Sequence, residues 1–289
     1  MKYLLILIDY NPGYIKYIIN SILSVDKDSE IFLASNKKIS YQNTNFINLE
    51  DFQSDDINEF KSMNIYKNTI FESNPLWINS ALRVFYLDKI SKKLLNEDFV
   101  HFDNDVLIYK PFSEVKKLFN YEKLNITPAN SKKYVFGYSF IPKNNTLNII
   151  CKNIIELSKY GIKNNWEFNN GKPYNEMDFL GAVSKERDSI ISSIPILPYF
   201  NSDIIFDPSS YGQYLDGTHL HPKKYLRKNK IYNVNEYIGI ELTSKRIKVC
   251  FKDRHPFVVW EKEKFNLANL HVHSKRFEKF LPASYKSYV

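Results

Sequence analysis

The sequence has little glycine, few cysteines and no long apolar run. Its 289 residues include 8 glycines, 12 prolines and 2 cysteines. So few glycines exclude a collagen-like chain, and two cysteines are too few for the disulfide framework of a small secreted domain. Cys151 and Cys250 form no paired-cysteine motif, which argues against a redox or zinc motif. We therefore expect a reducing compartment.

The apolar runs are short throughout the chain. The run over residues 3–8 stops at Asp9, which is too short for the core of a signal peptide. No later run approaches the roughly 18 apolar residues that a membrane-spanning helix needs. The sequence predicts a soluble, cytoplasmic protein without a membrane anchor.

The composition otherwise describes a globular chain with a strongly aromatic core. Hydrophobic residues make up 44% of the chain, and 16% is aromatic, with 21 Tyr, 21 Phe and 3 Trp. The 40 basic residues exceed the 32 acidic ones, for a formal net charge of +8, which favours an anionic partner. Nucleic acid, a membrane surface and a phosphorylated small molecule all fit that charge.

Hydrophobic periodicity predicts an α/β fold with a central mixed sheet flanked by helices and a more irregular C-terminal half. Strands are predicted at residues 4–8, 31–34, 45–49, 99–102, 134–141, 238–242, 246–251 and 257–260. Helices are predicted at residues 15–22, 76–95, 145–157 and 176–184. No linker or repeat divides the chain, so we expect one domain over residues 1–289.

An acidic pair follows directly on one predicted strand. Asp103, Asn104 and Asp105 come after the apolar residues 99–102, with the apolar residues 106–109 beyond them. Ligands of α/β sheets collect beyond the carboxyl ends of strands, and paired carboxylates supply the hard oxygen ligands that Mg²⁺ or Mn²⁺ prefers. A divalent cation held there could neutralise the diphosphate of a leaving nucleotide.

The stretch from Asn74 to Phe112 resembles the nucleotide-sugar-dependent glycosyltransferases of the GT-A fold. It contains a helix with Arg83, then a strand, then the Asp-Asn-Asp motif. The resemblance implies that Asp103 and Asn104 bind the donor, that Asp103 contacts its ribose, and that Asp105 ligates the metal with Asp103 as a second candidate. It also implies that Arg83 reaches the motif or the donor sugar.

Two histidines and a lysine near the C-terminus extend this resemblance. His271 and His273 alternate along a predicted strand and so share one face, with Lys275 just beyond. Enzymes similar to glycogenin and to bacterial lipooligosaccharide galactosyltransferases take a late histidine as a metal ligand and a following lysine for the diphosphate. The resemblance assigns these roles to His271 or His273 and to Lys275. On this basis residues 1–112 form a nucleotide-binding half, and residues 113–289 form an acceptor half.

Two further segments are candidates for sugar contacts or catalysis. Glu176 and Asp178 begin a predicted helix, where acids complement the helix dipole, and in the GT-A fold such acids often face a sugar or act as a base. The polar residues 206–219 form either a surface loop or a sugar-binding wall. Their candidate acceptor or sugar contacts are Asp207, Tyr211 and Gln213.

The turn after the first strand is a candidate for the nucleoside. Asp9 and Tyr10 stand where the base and ribose would lie in a GT-A domain, and Tyr10 could stack on a uracil.

These residues predict a metal-dependent glycosyltransferase that uses Mn²⁺ or Mg²⁺ and a nucleotide diphosphate sugar, with a UDP-sugar favoured. The acceptor would be a hydroxyl of a glycan, a protein or a lipid-linked molecule. One alternative is a basic nucleic-acid-binding protein, suggested by the net charge and by the basic residues 223–228. Another is a metal-dependent phosphoesterase or nucleotidyltransferase, although the glycine-rich phosphate loop that many nucleotidyltransferases have near the first strand is missing.

Overall fold

The computed structural model describes residues 1–186, 190–198, 202–216 and 233–288. The predicted basic segment at residues 223–228 and the end of the polar segment, residues 217–219, lie outside these ranges. Among the described residues, none of the helices is both long and apolar enough to cross a membrane.

The strands of the described residues lie in three sheets. They are β1 Lys2–Leu7, β2 Glu30–Ser35, β3 Asn45–Asn48, β4 Phe99–His101, β5 Val106–Ile108, β6 Leu124–Asn130, β7 Lys133–Ile141, β8 Ile191–Ser193, β9 Ile204–Ile205, β10 Ile247–Lys252, β11 His255–Trp260, β12 Glu263–Leu267 and β13 Asn269–His271. The main sheet has the order β3-β2-β1-β4-β7-β6-β8, and a second sheet has the order β10-β11-β12-β9. β5 and β13 form a separate pair.

The helices surround the main sheet. They are α1 Ile15–Val25, α2 Asp55–Ser62, α3 Leu76–Ile90, α4 Phe112–Val115, α5 Thr146–Lys163, α6 Glu176–Glu186, α7 Tyr211–Asp216 and α8 Tyr237–Thr243. A π-helical turn, Ser91–Leu95, extends α3 to the end that the sequence predicted. The predicted α/β fold, with a central mixed sheet flanked by helices, is confirmed.

Strand β1 shows how the sequence builds two layers of core. Tyr3, Leu5 and Leu7 belong to one buried cluster, which also contains the isoleucines of α1. Leu4 and Ile6 face the opposite cluster, which is lined by α3 and α5. Because side chains alternate across a strand, a strand buried on both faces is apolar at every position. β1 is therefore a central strand.

Strand direction determines where the site lies. β1, β2, β3 and β4 pair in parallel, so their carboxyl ends share one edge of the main sheet. β7 pairs antiparallel with β4, and this brings the first half of β7 to the same edge. Asp9, after β1, and Asp103, after β4, consequently lie on one side of the molecule.

One predicted strand is wrong. Ile238, Ile240 and Leu242 alternate with polar or small residues and predict a strand, but the structure forms helix α8 there. Ile238 is buried, whereas Ile240 is 45% exposed. Positions two apart lie on nearly opposite sides of a helix, so a stretch of seven residues can fit either period.

Candidate active site at the carboxyl edge of the main sheet

The Asp-Asn-Asp segment is held by the backbones of neighbouring strands. The N–H of Asp103 donates to the carbonyl of Phe136 on β7 at 2.7 Å. The side-chain amide of Asn104 donates to the carbonyl of Ile6 on β1 at 2.6 Å. These contacts tie the segment to the strands on both sides of β4, so both carboxylates have defined positions at the sheet edge.

Arg83 joins Asp103 to Glu176. Its guanidinium pairs with the Asp103 carboxylate and donates to Oε2 of Glu176 at 2.7 Å, and it lies 4.9 Å from the centre of the Phe136 ring. Burial lowers the pKa of Arg83, but Glu176 and Asp103 outweigh it, and the net shift is upward. α3 and α6 thus each contribute one charged side chain to this ion-paired group.

Glu176 titrates near neutrality. Burial, together with the nearby charge of Asp103, raises the pKa of its carboxyl to about 7 against the lowering effect of Arg83. A carboxyl with such a pKa can hold or release a proton at physiological pH, which suits an acid or a base.

Asp105 meets His271 because of the register between two distant strands. β13 pairs antiparallel with β5 so that His271 lies opposite Val106, the residue after Asp105. His271 Nε2 lies 2.6 Å from Asp105 Oδ1, and the ammonium of Lys275 pairs with Oδ2. Burial raises the pKa of Asp105, but His271 and Lys275 hold it well below its ordinary value. The carboxyl is therefore ionised.

The two histidines stack beside Asp105. Their ring centres lie 4.3 Å apart with 14° between the planes, although β13 ends at His271 and His273 follows it. His273 Nε2 lies 2.5 Å from the Ser209 carbonyl, which can only accept, so Nε2 carries the proton and Nδ1 keeps its lone pair. Burial lowers the pKa of His273 to about 3, which leaves this ring neutral.

Asp105, His271 and His273 fit a divalent metal ion. Each can offer one ligand atom, and the three atoms lie within 4.8 Å of one another. His271 is only 4% exposed, yet its Nδ1 has no hydrogen-bond partner among the described residues and lies 3.9 Å from Asp103 Oδ2. An unpaired polar atom at such depth is costly unless something binds it. Asp103, the other predicted ligand, is paired with Arg83.

Asp178 has contacts that account for it structurally. The N–H of Asp178 donates to Oδ1 of Asn175 at 3.1 Å, and the N–H of Asn175 donates back to Asp178 Oδ2 at 3.3 Å. This reciprocal pair caps α6, and Lys133 pairs with the same carboxylate at 2.9 Å. A catalytic role for Asp178 stays a prediction, and Glu176 is the acid that reaches Arg83.

Asp207, a predicted sugar contact, is held by backbone groups. Its carboxylate is fully buried and accepts five backbone N–H groups, those of Ser209, Ser210, Tyr211, Gly212 and His271. Of these groups, the first two lie just before α7, the next two begin it, and the fifth belongs to β13. Asp207 thus joins the start of α7 to the strand that carries His271.

Tyr211 is also part of the core. Its side chain is fully buried, and its hydroxyl donates to the carbonyl of Ile196 at 3.0 Å. Gln213 lies on the same helix and is half-buried. Sugar contacts by Asp207, Tyr211 and Gln213 stay predictions, and the burial of the first two speaks against them.

Asp9 and Tyr10 lie at the carboxyl end of β1, as expected from its direction. Asp9 adopts a left-handed backbone with φ of 58°, and its N–H donates to Asn36 Oδ1 at 2.8 Å. Lys37 Nζ donates to the Asp9 carbonyl at 2.7 Å. Tyr10 is 51% exposed and its hydroxyl lies 3.3 Å from that of Tyr14. The Tyr10 ring is therefore accessible to a ligand.

Sequence reasoning missed two residues of the site. Tyr14 lies under the ammonium of Lys275, which is 5.5 Å from its ring centre, and burial together with the charge of Asp105 raises the pKa of its hydroxyl. Asn269 is fully buried, and its amide donates to the carbonyls of Gly137 at 2.9 Å and Asp207 at 3.0 Å. An amide between the apolar residues Ala268 and Leu270 was the available signal for Asn269.

Comparison with known proteins finds similar structures but no similar sequences. No family model and no curated protein matches the chain. The glycosyltransferase GlyE of Streptococcus pneumoniae is 12% identical, with a TM-score of 0.41, over 67% of this chain and 45% of that one. An active-site mutant of LgtC is 15% identical, with a TM-score of 0.42, over 81% of this chain and 85% of that one. Mouse xyloside xylosyltransferase 1 is 8% identical, with a TM-score of 0.38, over 68% of this chain and 86% of that one.

The present chain thus spans less than half of the length of the GlyE structure. The three solved structures are glycosyltransferases. At these identities and scores the likeness concerns the course of the chain alone.

Proposed function

We propose that this protein is a metal-dependent glycosyltransferase that transfers a sugar from a nucleotide diphosphate sugar to a hydroxyl of its acceptor. The observation that carries the proposal is the convergence on Asp105 of His271 and Lys275, with Lys275 lying 170 residues away in sequence. An ionised carboxylate, imidazole rings and an ammonium at one edge of the sheet suit a cation and a diphosphate together.

The ligand set proposed for Mn²⁺ or Mg²⁺ is Asp105 with His271 and, as a further candidate, His273. When bound, the metal would neutralise negative charge on the diphosphate and so improve the leaving group. Lys275 adds a point charge of the kind that binds phosphate. Asp103, which is paired with Arg83, is the proposed contact to the donor ribose. Asn104 fixes this segment through its hydrogen bond to the carbonyl of Ile6.

The nucleoside would lie at the end of β1. Tyr10 offers an exposed ring for stacking on the base, and Asp9 lies beside it. A UDP-sugar is the favoured donor. The sugar would extend toward Arg83 and Glu176, where Glu176, with a pKa of about 7, is the proposed acid or base.

The alternative functions gain no support from this site. The basic groups at this site, Arg83, His271 and Lys275, are each paired with a carboxylate, which suits a cation and its diphosphate better than a nucleic-acid backbone. A phosphoesterase or a nucleotidyltransferase could use the same carboxylates, but neither reaction gives a reason for Glu176 beside Arg83. The acceptor class stays open among a glycan, a protein and a lipid-linked molecule.

A panel of UDP- and GDP-sugars tests the proposal. With Mn²⁺ or Mg²⁺ present, at least one donor should release free nucleotide diphosphate, and EDTA should stop the release. Asp105→Asn should abolish both the release and the metal-dependent binding of UDP in calorimetry. Asp28→Asn, which changes an exposed carboxylate, is the matched control and should leave both intact. The proposal would be refuted if no donor released nucleotide diphosphate and if the affinity for UDP were the same with and without metal.

A further inference from the structure

Both oxygens of the Asp105 carboxylate are already engaged by cationic or hydrogen-bonding groups of the chain. His271 Nε2 lies 2.6 Å from Oδ1, and the Lys275 ammonium pairs with Oδ2. The Asp105 side chain is 12% exposed, so its oxygens have little access to solvent. A metal ion that binds Asp105 therefore shares this carboxylate with the Lys275 ammonium, whose positive charge opposes the metal.

The backbone directs Lys275 to this position. Lys275 has a left-handed conformation with φ of 58°, and its N–H donates to the Val272 carbonyl at 3.0 Å, which closes a tight turn directly after β13. The ammonium also lies over the ring of Tyr14. Positive φ costs conformational free energy in a non-glycine residue. The tight turn imposes it on Lys275, and in this conformation the side chain of Lys275 reaches Asp105.

We infer that Lys275 occupies the cation position at Asp105 while the site is empty, and that it leaves this position for the diphosphate, so that metal and diphosphate bind cooperatively. This inference rests on the proposed function and deepens it. An ammonium and a divalent cation repel each other at one carboxylate, so Lys275 weakens the binding of metal when no diphosphate is present. The Lys275 side chain is 27% exposed, which lets a diphosphate approach it from solvent and offer it a more highly charged partner.

Thermodynamic linkage makes the consequence reciprocal. If the diphosphate removes Lys275 from Asp105, then diphosphate must raise metal affinity by the same factor by which metal raises diphosphate affinity. The lysine would thereby disfavour a metal-loaded site that holds no donor.

Metal binding without nucleotide gives the first test. Titration of the chain with Mn²⁺ alone, followed by the electron paramagnetic resonance signal of free Mn²⁺, should show weak binding by the wild type. Lys275→Met should bind Mn²⁺ at least about tenfold more tightly, because the competing charge is gone. Lys275→Arg keeps the charge and should bind as weakly as the wild type. Lys110→Met removes a lysine that pairs with Glu114 at 2.8 Å, beyond the far end of β5, and is the matched control.

UDP binding without metal gives the second test. In EDTA, Lys275→Met should bind UDP more weakly than the wild type, and added UDP should raise its Mn²⁺ affinity by a much smaller factor. Circular dichroism and thermal unfolding of each variant verify that the fold is retained. Equal or weaker Mn²⁺ binding by folded Lys275→Met would overturn the inference while leaving the proposed metal site in place. If no variant binds Mn²⁺ with or without UDP, the proposed function fails as well.

Discussion

Replacement of Asp207 by asparagine distinguishes a structural carboxylate from a sugar ligand. In the structure one Asp207 oxygen accepts three backbone N–H groups at 2.8–3.0 Å, and the other accepts those of Gly212 at 3.1 Å and His271 at 2.9 Å. Asparagine has one oxygen and one NH₂ group, so at least two buried donors must then face another donor.

The cost follows from those two donors. Each buried N–H left without an acceptor costs about 1–3 kcal/mol, so Asp207→Asn should lose about 2–6 kcal/mol of unfolding free energy. Urea unfolding monitored by circular dichroism measures the loss. Asp203→Asn changes an exposed carboxylate four residues earlier and should stay within about 0.5 kcal/mol of the wild type.

The two interpretations of Asp207 predict different results. If Asp207 held a sugar, Asp207→Asn would keep wild-type stability and raise the KM for donor or acceptor. A variant as stable as the Asp203→Asn control would therefore refute the structural interpretation. Because one of the two affected donors is the N–H of His271, we also expect weaker Mn²⁺ binding by any Asp207→Asn protein that remains folded.

Two further predictions concern the backbone around His271 and the titration of Glu176. A Cβ added at Gly212 would overlap the carbonyl of His271, so Gly212→Ala should lower the unfolding free energy by about 1–3 kcal/mol, as measured by urea unfolding. Gly13→Ala is the control and should be nearly neutral, because a Cβ added there meets no described atom within 4 Å. Equal effects of the two substitutions would contradict the packing described for α7 and β13. Burial raises the pKa of Glu176 from 4.5 to about 7, so the folded state binds the extra proton and stability falls as pH rises from about 4.5 to 7. Glu176→Gln should lack this fall in stability. The unfolding free energies of the wild type and of Glu176→Gln, measured between pH 5 and pH 8, should therefore diverge. Parallel curves for the two proteins would show that Glu176 titrates normally.

Much of the fold was predictable because it depends on local patterns. The apolar run of β1, the isoleucines of α1 at helical spacing and the acidic first turn of α6 each carry their own signal. The prediction failed at α8, where seven residues are too few to separate a period of two from one of 3.6. The helix period is visible only in the burial of Ile238 and the exposure of Ile240.

The site was predictable only in part. Asp103 and Asp105 follow a buried strand, and that position alone indicated a ligand-binding edge. The polar residues after Phe206 were ambiguous, since a buried carboxylate that caps a helix and one that faces a sugar have the same local sequence. Tyr14 gave no signal of its own, because a tyrosine just before a helix fits the hydrophobic core as well as it fits a functional site.

By itself, the amino-acid sequence determined the alternation that buries β1 on both faces, the helical periods around it and the placement of two carboxylates at a strand end. Which distant residues meet them was expected only from the family resemblance, and the tertiary structure shows how they come together. The antiparallel register of β13 with β5 brings His271 to Asp105, and the packing of α3 and α6 brings Arg83 between Asp103 and Glu176. The physical reason is that periodicity records which face of an element is buried, whereas contacts between residues far apart in the chain depend on strand register and helix packing, which no local pattern encodes.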